Sequence, residues 1–121
     1  MRTLAEASLT EEERRVLDRW LELMRSKLEI ESVWLYGSRA RGERPRDGSD
    51  IDLLVVTRGD RWRDRRTIRR LLDDAVTAEG AHTAFISAQV WDREWLAHRR
   101  EIDSFFLREV ERDKVVLYER R

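Results

Sequence analysis

Asp50 and Asp52 stand one residue apart at the head of an apolar run, Leu53-Leu54-Val55-Val56. Upstream, a second apolar run, Val33-Trp34-Leu35-Tyr36, leads directly into Gly37-Ser38-Arg39-Ala40-Arg41-Gly42. Side chains at i and i+2 of a strand point to the same face, roughly 6–7 Å apart. The two carboxylates therefore converge on one small site. A Gly-Ser turn beside them can offer backbone N–H groups and a hydroxyl to a phosphate. Paired carboxylates next to a phosphate cradle point to Mg²⁺-assisted nucleotidyl or phosphoryl transfer. A simpler account makes the acids the end of a solvated loop. It does not explain why Asp52 sits just inside an apolar run, where an unpaired carboxylate costs free energy that a cation or an arginine would offset.

The elements that must position these residues follow from the pattern. Thr10-Glu11-Glu12-Glu13 is a capping box, and Val16, Leu17, Trp20, Leu21, Leu23, Met24 and Leu28 follow at helical spacing, so a helix is expected to about Glu29. Residues 32–36 read as a strand. Residues 37–49 hold three of the five glycines and the only proline, Pro45, and so form a loop, with a short helical turn at Ser38–Arg41. Ile51 to Val56 is a second strand, whose unbroken apolar run predicts burial on both faces. Asp60 caps a helix carrying Ile68, Leu71, Leu72, Ala75 and Val76, with Arg63, Arg66 and Arg70 opposite, ending near Glu79-Gly80. Residues 83–90 suggest a third strand around Ala84-Phe85-Ile86. Asp92 caps a short helix, Ile102 to Val110 mark another, and Val115–Tyr118 is a terminal strand. The expected fold class is α/β (α+β), a small mixed sheet of three to four strands with helices packed on one face.

At 121 residues, a single domain spanning 1–121 is expected. Charged residues make up 41% of the chain, yet 25 basic and 25 acidic residues cancel. No global pull toward nucleic acid or an anionic membrane follows, and direct nucleic-acid binding is not expected. The absence of cysteine excludes disulfides and thiolate metal sites. The first residues lack a secretory h-region and no run is long enough to span a membrane, so a cytoplasmic location is expected.

The stretch Gly37-Ser38 … Asp50-Ile51-Asp52-Leu53-Leu54-Val55, with eleven residues between Ser38 and Asp50, resembles the signature of the minimal nucleotidyltransferases of the DNA polymerase beta-like superfamily. The order of elements is similar over most of the chain, and the tail Phe106–Tyr118 resembles the ending of stand-alone prokaryotic forms. The resemblance implies that Asp50 and Asp52 hold Mg²⁺ and act catalytically. It implies that Gly37 and Ser38 bind a nucleoside triphosphate such as ATP; Arg39 and Arg41, in the same loop, could neutralise phosphate charge. It further implies an antitoxin that transfers AMP to a HEPN-domain toxin partner, or one that neutralises such a partner by binding without catalysis. One departure stands out. Active members carry a third carboxylate on a neighbouring strand, whereas His82-Thr83-Ala84-Phe85-Ile86-Ser87 has none, and Glu79 and Asp92 only flank it.

Three other features are weaker. Arg61-Trp62-Arg63-Asp64-Arg65-Arg66 with Arg69-Arg70 is a basic cluster that reads first as a solvated helix face and second as an RNA-binding surface. His82 and His98 lack ligand-spaced neighbours. Trp91 and Trp95 fit either the interior or a partner patch. The sequence leaves the oligomeric state open.

Overall fold

Thr10 begins the first helix as its sequence demands: its hydroxyl accepts from the Glu13 N–H (3.1 Å), and the Glu13 carboxylate accepts from the Thr10 N–H (2.8 Å). In the computed structural model, which describes residues 2–43, 50–81 and 86–120, that helix is α1 (Glu11–Lys27). It is followed by β1 (Ile30–Tyr36), the single turn α2 (Gly37–Ala40), β2 (Ile51–Thr57), α3 (Arg61–Ala78), β3 (Ile86–Asp92), α4 (Arg93–Glu101), α5 (Phe105–Asp113) and β4 (Val115–Glu119). Side chains of Asp60, Asp92 and Ser104 cap α3, α4 and α5, each supplying an oxygen to a helix N–H that would otherwise lack a partner.

The four strands form one sheet in the order β3-β2-β1-β4. β1 runs antiparallel to β2 and β4, and β2 runs parallel to β3. That parallel pair needs a crossover, which α3 provides. Both central strands are apolar on both faces, and each face has its own core. Val33, Leu35, Ile51, Leu53 and Val55 pack with Val16, Trp20 and Met24 of α1 and Ile68 and Leu71 of α3. Trp34, Leu54, Val56 and Trp91 pack with Leu96 of α4 and Leu107 and Val110 of α5. Each fully buried side chain of this kind contributes about 1.5–3 kcal/mol. The mixed α/β class is as expected. The expectation of helices on one face is corrected, for physical reasons the sequence already held: a β2 buried on both sides needs a cover on both.

The third strand is displaced from its expected span. It runs to Asp92, because Trp91 and Asp92 pair with Val56 and Thr57 of β2. Residues 83–85 of the expectation lie outside the described residues. No helix among the described residues is long and apolar enough to cross a membrane.

Candidate functional site

β1 ends at Tyr36, and the chain must turn at once to free the sheet end. Gly37 makes the turn at φ +78°, a left-handed conformation that costs glycine little. A second reason for glycine lies across the sheet. A Cβ at position 37 would come within 2.7 Å of the Asp52 Oδ2. The catalytic-looking turn and the carboxylate thus touch through a position where any side chain would collide. α2 is closed by Arg41 N–H to Gly37 O (3.2 Å), Gly42 N–H to Arg39 O (3.2 Å) and Glu43 N–H to Ser38 O (3.1 Å).

Asp52 is the second residue of β2, opposite Tyr36 on β1 and Ser87 on β3. The three form a row across the sheet, neighbours about 4.8 Å apart. Asp50 sits just ahead of the strand, exposed. Burial pushes the half-buried Asp52 carboxyl above its usual range, and the nearby Asp50 charge pushes it further. Among the described residues no basic side chain pairs with either acid. Burial also raises the Tyr36 phenol, with Asp52 adding to the effect, while a hydrogen bond from Gln89 Nε2 to the phenol oxygen (3.4 Å) opposes it. Tyr36 therefore stays neutral at the edge of the site.

These residues fit a hard divalent cation. Two carboxylates supply charged oxygen donors, and Mg²⁺ is commonly held by one or two carboxylates with substrate phosphates and water completing its shell. Among the described residues no cluster of three or more acidic or histidine side chains forms a ready-made cage. The position beside Asp52 on β3 is Ser87, followed on the same face by Gln89. Beside Asp52 the described part of β3 thus offers a neutral hydroxyl and an amide. Asp92 caps α4 instead, accepting from Trp95 N–H at 2.7 Å.

The two arginines expected to face phosphate are committed to acids. Arg39 is buried; its Nη1 and Nη2 donate to Glu13 at 2.9 and 3.1 Å, and Nη1 also donates to Ser8 O at 3.0 Å. Burial alone would raise the Glu13 carboxyl, but the Arg39 and Thr10 hydrogen bonds outweigh it and hold the group low. Arg41 donates to Glu43 (2.9 Å) and to the buried Asp113 (3.1 Å), which ties the turn to α5. Sequence reasoning missed Tyr36, Ser87 and Gln89 as neighbours of the site. The register of β2 with both partners reveals them, and only the period-two alternation from Asp52 hinted at it.

His98 stacks near Trp95, with ring centroids 5.4 Å apart, and takes no part in the site. His82 lies outside the described residues. A protein of known structure from Sulfolobus solfataricus, itself only assigned as a nucleotidyltransferase, superposes with a TM-score of 0.56 at 23% identity, covering 90% of this chain and 84% of the other. At that identity the likeness carries the fold alone. No curated protein matches the sequence. The nucleotidyltransferase domain family matches residues 17–118, a span that contains the Gly37 turn, Asp50, Asp52, the first three strands and all but the last residue of β4, and the chain belongs to that family.

Proposed function

We propose that this protein transfers AMP from ATP, bound with Mg²⁺, to a hydroxyl of a partner protein, and that it serves as the antitoxin of a HEPN-type toxin. The observation that carries the transfer reading is the contact of Asp52 with the Gly37 turn, which joins the two halves of the motif into one site. Gly37 and Ser38 bind the triphosphate, and Asp50 and Asp52 hold the cation. When bound, Mg²⁺ supplies charge neutralisation on the phosphates. The acceptor oxygen bonds to the α-phosphorus, the α–β bridging P–O bond breaks, pyrophosphate leaves and the hydroxyl proton passes to water. The choice of a protein acceptor and of a HEPN-type partner rests on the family resemblance.

The test is the intact mass of a HEPN-type partner after incubation with this protein, Mg²⁺ and ATP. A gain of one AMP unit or more is expected, absent with Asp50→Asn/Asp52→Asn. A second reading, a binding module without catalysis, is favoured by the neutral Ser87 beside Asp52 on β3. General-base assistance contributes typically 10²–10⁴-fold. A slow enzyme therefore gains rate when Ser87→Asp is introduced, whereas a pure binding module neutralises its partner unmodified and is indifferent to both changes.

A further inference from the structure

β3 is the edge of the sheet, and no described strand pairs with its outer side. In a parallel pair, alternate residues turn their N–H and C=O groups away from the neighbouring strand. The outer side of β3 is therefore a row of backbone donors and acceptors with no strand partner. A groove of about 520 Å³ runs along it, lined by five successive residues from Ser87 to Trp91. Its walls come from opposite faces of the sheet. Arg61, Trp62, Arg65 and Arg69 project from α3, and Trp95 from α4. Among the described residues no acid lines it. Arg65 and Arg69 are exposed, and among the described residues no acid pairs with either. Arg66 and Arg70 on the same helix likewise have no acid partner among the described residues, whereas the exposed Arg15, Arg19, Arg58, Arg100 and Arg112 each have one.

One end of the groove is fixed. Arg61 lies over the rings of Trp62 (4.8 Å) and Trp95 (4.3 Å) and reaches toward Asp92 (3.9 Å). The other end is Ser87, the residue beside Asp52. From Ser87 to Trp91 the groove is about 13 Å long, and Arg61 to Arg69 spans about 12 Å of helix. Cations and strand edge thus run alongside each other over the same distance, toward the carboxylates.

We propose that this groove binds an extended acidic segment of the acceptor protein by adding it as a fifth strand against β3. The assignment to the acceptor rests on the transfer reading above; the docking itself does not. Strand addition satisfies the unpaired backbone row with the partner's own backbone, and acidic side chains meet Arg65 and Arg69. A single-stranded nucleic acid would also suit arginines and indoles. It has no amide row to match a strand edge, however, and a chain of net charge zero lacks the basic field that accompanies nucleic-acid binding. A strand added here lies two strand spacings, about 9.6 Å, from β2, so only a long side chain carries its hydroxyl to Asp52.

The test uses the full chain and an eight-residue peptide of alternating glutamate and valine with one tyrosine. Binding is followed by calorimetry and by amide hydrogen exchange. Binding is expected with slowed exchange within Ser87–Trp91. Arg65→Glu/Arg69→Glu should weaken it tenfold or more, and alternate backbone N-methylation of the peptide should abolish it. Asp50→Asn/Asp52→Asn should leave binding intact, so a failed transfer reading and a failed docking site give different results. The proposal is overturned if the amides of β3 gain no protection at saturation, if the N-methylated peptide binds equally well, or if octauridylate binds more tightly than the peptide.

Discussion

Gly37 is constrained twice, by its positive φ and by the Asp52 carboxylate 2.7 Å from where a Cβ would be. Gly37→Ala should cost about 1–2 kcal/mol from the backbone alone. It should also displace Asp52, weakening Mn²⁺ or Mg²⁺ binding at least tenfold by calorimetry. Gly37→Ala with unchanged cation affinity would separate the turn from the carboxylate site. At this scale the motif was legible because glycine, serine and two aspartates at these spacings rarely share so short a stretch by chance. The acid partners of Arg39 and Arg41 were not. These, Glu13 and Asp113, lie 26 and 72 residues away, and nothing local to the loop announces that those charges are taken. A phosphate role for Arg39 would require its pair with Glu13 to open.

The helices were legible through their caps. Thr10, Asp60 and Asp92 each preceded an apolar periodicity and each caps a helix. β3 was misplaced because its register depends on β2, a partner more than thirty residues upstream, and because Asp92 both closes the strand and caps α4. At the element scale the tie that matters is Glu13 to Arg39, nearly buried on both sides, joining α1 to α2. Glu13→Gln leaves the guanidinium buried without its counter-charge and should cost about 3 kcal/mol at pH 7 by urea unfolding. The sign with pH follows from the lowered carboxyl. The stabilisation is complete above the unfolded value of 4.5 and is lost as pH falls through the lower folded value. The gap between variant and parent should therefore close below pH 4.5. A gap that stayed constant down to pH 3 would show that the pair's charge is not its source of stability.

For the whole molecule, the sheet is a middle layer with an apolar core on each side. Leu53 and Leu54 are adjacent, face opposite ways and are both fully buried. Leu53→Ala and Leu54→Ala should each cost about 3 kcal/mol, measured by denaturant unfolding. A sheet covered on one side only would show a large cost at one position and almost none at the other. The unbroken apolar run of β2 contained this answer. Reading the small sheet as covered on one face set it aside, since the sequence does not show how the two short C-terminal helices return to the sheet. The N-terminal segment adds a longer reach. Ser8 N–H donates to Arg39 O (2.8 Å), and Arg39 Nη1 donates back to Ser8 O, so residues around position 8 and the turn after β1 share one clasp. A lesion at Ser8 or Glu13 should therefore loosen the turn after β1 from a distance, leaving both carboxylates of the motif in place.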